Sequence, residues 1–386
     1  VLPISYHDAQ PLLEALEGPV APANWRGALP ITYHIGPGPA KVHLKLEFNW
    51  ELQPAYNVIA TMKGSVFPDE WVIRGNHHDA WVHGASDPIS GLVALMEEAR
   101  AVGTLVKNGT KPKRTMMYCA WGAEEQGLLG STEWVETHAK ELQQKTVAYI
   151  NTDGTGAGFL GAGGSHTLEK FFDQISKSVM DPQTNVSVFE RRNAVQQVSG
   201  ATPWSHYELD ALGSGSDYSP FFQHLGIASF NMGFGGESSG GEYHTMYDSY
   251  KHYKRFKDPN FQYGVALAQV AGRTSLRLAN AEVLPFEFGH FTNTVKGYVN
   301  EVTGLAGKLR KEAEQHNAMI DNGLYALALN PKDNIKVPNA KPLVPYFNFA
   351  PLENALGNLE KQSKSFMKAT QNGVSDVKNK VAVNAI

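Results

Sequence analysis

The sequence has a single cysteine, Cys119, among its 386 residues. An internal disulfide framework is therefore excluded, and so is a zinc site built from cysteine thiolates. Cys119 lies in the apolar run of residues 116–120, which predicts a buried and unreactive thiol. The apolar runs are also short, because none approaches the roughly 18 residues that a membrane-spanning helix requires.

The sequence also lacks a strong excess of either charge. Its formal net charge is −4, and its lysines and arginines form no basic block. Proteins that bind nucleic acids usually carry a basic patch, so no nucleic-acid partner is expected. A length of 386 residues is enough for about two or three domains with a sizeable core.

From residue 70 onward, apolar runs typical of buried strands alternate with segments of helical periodicity. Strands are predicted within residues 70–75, 114–122 and 146–153, with helices over 90–102, 127–142 and 166–180, and residues 221–232 are predicted to form a short helix followed by a strand. This alternation predicts an α/β fold with a mostly parallel, twisted sheet and helices on both faces. Upstream, residues 41–50 alternate polar and apolar side chains, which predicts a half-buried strand paired with another near residues 56–64.

Strand patterns disappear after Pro285. Residues 290–320 and 350–370 have helical periodicity, and a connection rich in proline and asparagine separates them. We therefore predict an α/β domain over residues 1–284, followed by a smaller helical domain over residues 285–386.

Titratable side chains follow the predicted strands at their carboxyl ends. The densest group lies in GNHHDAWVHGASDP, residues 75–88. The full set is His77, His78, Asp79, Asp87, Glu124, Glu125, Asp153, Tyr243 and His244. The carboxyl ends of strands in an open α/β sheet meet at one edge, so we expect these groups to lie together. Such charges need partners, and a metal ion is the commonest partner for mixed histidine and aspartate.

The chemistry of this set favours a pair of zinc ions. Two histidines and three or four carboxylates, without thiolates, fit two ions about 3.5–4 Å apart, held by a bridging carboxylate and a bridging hydroxide. The adjacent Glu124 and Glu125 suit such a pair, because one carboxylate can bind metal while its neighbour takes a proton from the activated water. Metal coordination lowers the pKa of that water towards neutrality.

Five motifs resemble those of the di-zinc peptidases of family M28, in the branch that contains glutamate carboxypeptidase II and the transferrin receptor. In chain order they are HHDAW, GASDPISG, WGAEEQGLLGSTEW, AYINTD and EYHTMYDSY. The resemblance extends from about residue 4 to about residue 284, and continues more weakly into the last helices. It implies a zinc-exopeptidase fold, a small peptide substrate, a homodimer formed through the helical domain, and an extracytoplasmic location.

The same resemblance implies that the N-terminal segment follows a protease-associated insert that is missing here, and that the helical domain is incomplete. Glu133 and Glu136, at helical i, i+3 spacing, correspond to half of a calcium site whose other half lies in that insert. Without the insert, we expect these two glutamates to form a solvated helix face.

The resemblance also assigns the metal ligands. It implies that His77 and Asp153 bind one zinc ion, that Glu125 and His244 bind the other, and that Asp87 bridges the two. A bridging carboxylate requires an unusual backbone turn, and proline reduces the cost of a cis peptide bond to about 0.5–1 kcal/mol. We therefore predict that the bond between Asp87 and the following proline is cis.

The remaining residues of the set receive supporting roles from the resemblance. Glu124 is the general base, Asp79 orients the histidine ligand two residues before it, and Tyr243 steadies the oxyanion. His83 is expected to be an ordinary loop residue. His78 either lines the site or faces solvent.

Departures from glutamate carboxypeptidase II affect the expected specificity. Asn231 and Gly233 stand where arginines that hold a terminal glutamate would be expected, and Ser216 replaces an asparagine. Residues 229–241 contain no arginine or lysine, and their one charged residue, Glu237, would repel an acidic side chain if it faced the pocket.

The expected function is therefore a di-zinc exopeptidase of carboxypeptidase type without clear glutamate selectivity. Two alternatives stay open. One is an aminopeptidase of the same family, and the other is a non-catalytic binding protein like the transferrin receptor.

Overall fold

The computed structural model describes residues 4–238, 240–328, 330, 332 and 337–371. The chain divides into two units, residues 1–54 and residues 55–386. In the first unit, helix α1 (Tyr6–Glu14) begins after Ser5, whose hydroxyl oxygen accepts a hydrogen bond from the backbone N–H of Asp8 at 3.1 Å. A single bridge pairs Val20 with His34.

The strand predicted over residues 41–50 is wrong. These residues belong to no strand, and their alternating apolar side chains are exposed by 50% to 85%. Alternation specifies which face of a strand would be buried, but the backbone also needs a partner strand for its hydrogen bonds. The predicted partner segment does contain a strand, β1 (Val58–Met62), which pairs instead with a later strand of the second unit.

The second unit is built on a six-stranded sheet in the order β1-β3-β2-β4-β6-β5. The central pairs β2–β3, β2–β4 and β4–β6 are parallel, whereas β1 and β5 are antiparallel edge strands. The other strands are β2 (Phe67–His77), β3 (Arg114–Trp121), β4 (Thr146–Asn151), β5 (Gly158–Gly164) and β6 (Ser229–Gly236). The expected α/β fold with a mostly parallel sheet is confirmed.

Helices connect and cover these strands. In chain order they are α2 (Ile89–Lys107), α3 (Leu129–Thr137), α4 (Ala139–Lys145), α5 (Glu169–Ser178), α6 (Val188–Val198), α7 (Tyr250–His252), α8 (Gln262–Asn280), α9 (Phe288–Asp321), α10 (Leu324–Ala328) and α11 (Ala350–Gln371). None of these described helices is both long and apolar enough to cross a membrane.

Alternate residues of the central strands enter two separate hydrophobic clusters, so both faces of the sheet are covered. On β4, Ala148 and Ile150 pack into the cluster that includes Leu95 of α2, while Tyr149 packs into the cluster that includes Val135 of α3. Two-sided burial explains why these strands read as continuous apolar runs. Cys119 is buried in the second cluster, as predicted, and burial raises the pKa of its thiol.

Candidate metal centre

The carboxyl ends of the parallel strands deliver the titratable side chains to one edge of the sheet. β2 ends at His77, whose register partner at the end of β3 is Trp121, three residues before Glu124. β4 ends two residues before Asp153. The register of these strands therefore brings loops from distant parts of the sequence to one place.

Two groups of possible metal ligands form there, and they share Asp87. In the first group, Nε2 of His77 lies 3.3 Å from Oδ1 of Asp87 and 3.1 Å from Oδ1 of Asp153. In the second group, Nε2 of His244 lies 3.0 Å from Oδ2 of Asp87 and 3.1 Å from Oε2 of Glu125. The two oxygens of Asp87 thus face two different histidines.

These donors fit zinc. A tetrahedral zinc site with bonds of about 2.0–2.2 Å places its ligand atoms about 3.3–3.6 Å apart. The spacings in both groups lie at or slightly below that range, between 3.0 and 3.3 Å. Imidazole nitrogen and carboxylate oxygen are also ligands that zinc prefers when thiolates are absent.

Burial and mutual repulsion raise the pKa of two of the candidate ligands. Burial raises the pKa of Asp87, and the charge of Asp153 raises it further. Burial and the charge of Asp87 likewise raise the pKa of Glu125. Burial by itself would lower the pKa of His77, but the surrounding carboxylates raise it well above its usual value. A positive ion between these oxygens would relieve their mutual repulsion.

Glu124 lies beside both groups but belongs to neither of them. Its Oε2 lies 3.8 Å from Nε2 of His77, and its side chain is only 9% exposed. Burial raises the pKa of Glu124 to about 8, with further contributions from the charges of Asp217, Asp153 and Glu125. A carboxylate in this position is a suitable proton acceptor, because it is close to the ligands without being one of them.

The loop that carries Asp87 is held by Asp248, which the sequence analysis did not single out. The carboxylate of Asp248 accepts hydrogen bonds from the backbone N–H groups of Ser86, at 2.7 Å, and Asp87, at 3.0 Å. The bond between Asp87 and Pro88 is cis, which confirms the prediction. A carboxylate four residues after His244, within the quoted motif EYHTMYDSY, was the available signal for Asp248.

Asp79 was predicted to orient His77, and the structure shows that it also contacts the turn that carries Glu124 and Glu125. Its carboxylate accepts hydrogen bonds from the backbone N–H groups of Glu124, at 3.0 Å, and Glu125, at 3.2 Å. Nδ1 of His77 lies 3.1 Å from the backbone carbonyl oxygen of Asp79 and 3.7 Å from its carboxylate. Asp79 therefore links the loop after β2 to the turn that carries the two glutamates.

Asp153 is oriented by Ser216. The hydroxyl of Ser216 donates a hydrogen bond to Oδ2 of Asp153 at 2.7 Å, while Oδ1 faces His77. The Ser216 hydroxyl oxygen accepts in turn from the side-chain amide of Asn151, at 2.9 Å. The helix α2 also approaches closely, because a Cβ on Gly91 would lie 1.9 Å from the backbone oxygen of Asp153.

The other residues named from the sequence lie in different surroundings. The ring of Tyr243 stacks on His244 with centroids 3.6 Å apart, and the tyrosine is 66% exposed. Nε2 of His78 lies 2.9 Å from the carbonyl oxygen of Tyr56. His83 is exposed in the loop before α2, at one side of a cavity of about 670 Å³ that none of the candidate ligand residues lines. Glu133 and Glu136 are exposed on α3.

A cavity of about 390 Å³ adjoins Asp153, and an arginine that the sequence analysis did not single out is among its lining residues. Its lining includes Asn231 and Gly233 of β6, and also Arg192 of α6. Nε of Arg192 is buried without a hydrogen-bond partner. Glu237 is not among the lining residues and pairs with the neighbouring Arg191 at 2.5 Å. Helix α6 comes from outside residues 229–241, so inspection of that segment alone did not reveal this charge.

Comparison with known proteins shows similarity along most of the chain. The family model described as Peptidase family M28 matches residues 57–266. The "Probable glutamate carboxypeptidase VP8" of Zea mays is 35% identical over 343 residues, covering 82% of this chain and 47% of the maize protein. The "Aminopeptidase NAALADL1" of Mus musculus is 37% identical over 328 residues, covering 79% of this chain and 44% of the mouse protein.

The chain thus spans about half the length of these curated relatives. Among solved structures, a peptidase M28 precursor from Shewanella amazonensis is 24% identical, with a TM-score of 0.44. That alignment covers 59% of this chain and 46% of the Shewanella chain.

Proposed function

The chain belongs to peptidase family M28, and on that premise we propose that it is a zinc-dependent exopeptidase that hydrolyses small peptides. Two zinc ions would be held, one by His77 and Asp153 and the other by Glu125 and His244, with Asp87 shared. The observation that supports this arrangement best is that the two oxygens of Asp87 lie 3.3 and 3.0 Å from two different histidines. A carboxylate that served one ion alone would not need both oxygens directed in this way.

The chain's own residues supply binding and proton transfer. Zinc, when bound, acidifies water and polarises a carbonyl oxygen. Glu124 takes the proton of the attacking water and passes it to the departing amine, as a general base and then a general acid. Asp79 and Asp248 keep the glutamate turn and the Asp87 loop in position through backbone hydrogen bonds. Tyr243, beside His244, would donate a hydrogen bond from its hydroxyl group to the oxyanion.

We further propose carboxypeptidase action without strong selectivity for glutamate. The support is Arg192, because a guanidinium suits the free carboxylate at the end of a peptide. A terminal glutamate carries two carboxylates. The cavity of about 390 Å³ beside Asp153 offers one cation to hold them, because Arg192 is the only lysine or arginine among its described lining residues. The second carboxylate would be buried without a matching cation, which is unfavourable.

An aminopeptidase is the second candidate, since the relatives are named both as carboxypeptidases and as an aminopeptidase. A non-catalytic binding protein is the third. It accounts poorly for the presence of Glu124, which contributes nothing to metal binding in this arrangement and has a buried, costly position.

One experiment separates these three candidates. The zinc-reconstituted protein is incubated with dipeptides blocked at the N-terminus and, separately, with dipeptides blocked at the C-terminus. Cleavage of the N-blocked set alone supports the carboxypeptidase, and cleavage of the C-blocked set alone replaces it with the aminopeptidase. If neither set is cleaved by protein that contains zinc, the proposed exopeptidase activity is wrong.

A further inference from the structure

A second group of metal-ligand side chains lies apart from the centre described above. It consists of Glu169 at the beginning of α5, His206 in the segment after α6, and His290 in the first turn of α9. His166, just before α5, contacts the same glutamate. The residues are far apart in sequence, and together they join the α/β part of the chain to the long helix α9.

The two histidines converge on one oxygen of Glu169. Nε2 of His206 lies 3.0 Å from Oε1 of Glu169, and Nε2 of His290 lies 2.5 Å from the same atom. The glutamate side chain is only 4% exposed, and the two histidines are 18% and 14% exposed. A tetrahedral zinc site spaces its ligands about 3.3–3.6 Å apart, so a small rotation of the His290 ring would admit an ion.

Two other buried carboxylates of this protein pair with arginine. Glu98 pairs with Arg74 at 2.9 Å, and Asp181 pairs with Arg191 at 2.8 Å. Within the described residues, the ion pairs of Glu169 are all with histidines. Arginine is a permanent cation, but imidazole changes its charge near neutral pH and is the commonest metal ligand. Three imidazoles around one carboxylate therefore resemble a ligand set more than a salt bridge.

The surrounding hydrogen bonds leave the converging atoms available for an ion. Oε2 of Glu169 is held by Nδ1 of His166 at 3.0 Å and by the backbone N–H of Leu209 at 3.1 Å, so that Oε1 faces the histidines. Nδ1 of His206 lies 2.9 Å from the hydroxyl oxygen of Ser205. Donation from Nδ1 to that oxygen leaves the Nε2 lone pair directed at the centre, as in many metal-binding histidines.

We propose that Glu169, His206 and His290 bind a divalent transition-metal ion, with zinc as the ion that best matches two imidazoles and a carboxylate. His166 positions the carboxylate and is not itself a ligand. The site connects the beginning of α5 to the first turn of α9, so the bound ion stabilises the attachment of that helix. It is separate from the proposed catalytic centre and does not depend on the peptidase activity.

The test measures zinc binding in a background that cannot fill the catalytic centre. The double variant His77→Ala/His244→Ala removes one histidine from each catalytic ligand group. After exposure to Zn²⁺ and dialysis, we expect it to retain about one equivalent by elemental analysis. Adding either His206→Gln or His290→Gln should abolish this binding, because glutamine preserves a hydrogen bond to Glu169 but is a poor zinc ligand.

His138→Gln in the same background is the matched control, because Nδ1 of His138 contacts the carbonyl oxygen of Trp134 and, within the described residues, His138 belongs to none of the candidate metal-ligand groups. It should keep the zinc. Equal zinc content in the control and in the two test variants would overturn the proposal, as would a background variant that folds and holds no zinc.

A second comparison uses the unaltered catalytic centre and covers the case in which the background variant fails to fold. Here His290→Gln should hold about one equivalent of zinc less than His138→Gln, with folding verified by circular dichroism. It should also lose a zinc-dependent rise in melting temperature that the control retains. If the two proteins have the same zinc content, the cluster is a hydrogen-bonded junction without a metal ion.

Discussion

Replacing Glu124 by glutamine tests the proposed mechanism most directly. The amide has nearly the shape of the carboxylate, so packing around this 9% exposed side chain is preserved. Glu124 belongs to neither ligand group, and zinc content should therefore be unchanged. The variant loses the proton acceptor, which typically costs about 10²–10⁴-fold in rate. This corresponds to about 2.7–5.4 kcal/mol of transition-state stabilisation.

The pH profile gives a second readout of the same substitution. Glu124 acts as a base only when it is ionised, so kcat/KM of the wild-type protein should rise with pH on the acid side. Burial raises the pKa of Glu124 to about 8, and bound zinc ions lower it, so the midpoint of this rise should fall below pH 8. The glutamine variant should lack this limb.

The assay is steady-state cleavage of a blocked dipeptide from pH 5 to 9, with zinc measured on the same samples. Glu136→Gln is the matched control, because it makes the same change on an exposed residue of α3. Glu125→Gln should behave differently from both, since it removes a ligand and should lower zinc content. Turnover by Glu124→Gln within about threefold of wild type would refute the assignment of the base.

Three further predictions concern residues that the sequence did not reveal. Asp248→Asn should weaken zinc binding by about 10–100-fold in a chelator competition, because an amide accepts only one of the two backbone hydrogen bonds. Asp258→Asn, which loses comparable bonds at the start of α8, should lower the melting temperature without this effect. Arg192→Gln should raise KM for N-blocked dipeptides about 10–100-fold, as expected for a lost charge-assisted hydrogen bond of roughly 1.5–3 kcal/mol, whereas Arg191→Gln should not. Glu169 has its pKa lowered from 4.5 to about 2 in the folded protein, so its stabilising contribution is present above about pH 4.5 and is lost as the pH falls towards 2. Glu169→Gln should remove this part of the acid dependence of unfolding by urea.

The fold was accessible from the sequence because it depends on local patterns, and so was the grouping of the titratable residues that follow its strands. Continuous apolar runs separated by helical periodicity require a sheet buried on both faces. Parallel strands also bring their carboxyl ends to one edge of the sheet, which predicts that His77, Glu124 and Asp153 lie together. Residues 41–50 show the limit of this reasoning. Polar and apolar side chains alternate there as they would in a strand, but these residues pair with no partner strand.

The features that were missed depend on contacts between distant parts of the chain. Asp248 lies 161 positions from Asp87, whose backbone it holds. His206 and His290 lie 37 and 121 positions from Glu169. At such separations no motif spacing connects the residues, and each one alone is an ordinary polar residue in a loop or at a helix end. Their meeting follows from the packing of helices against the sheet, which composition and periodicity do not determine.

The candidate metal centre is made largely from loops, and two carboxylates that accept hydrogen bonds from backbone N–H groups explain how it keeps a defined geometry. Asp79 and Asp248 each accept hydrogen bonds from two backbone N–H groups, with nitrogen-to-oxygen distances from 2.7 to 3.2 Å. A hydrogen bond to a charged group contributes about 1.5–3 kcal/mol, which is comparable to the conformational entropy of about 1–2 kcal/mol lost when one residue is fixed. These hydrogen bonds anchor the glutamate turn, which carries Glu124 and Glu125, and the loop that carries Asp87. Carboxylates outside the two candidate ligand groups thus help to order these loops, and the oxygens of Asp87 and Glu125 stay available for the proposed metal ions.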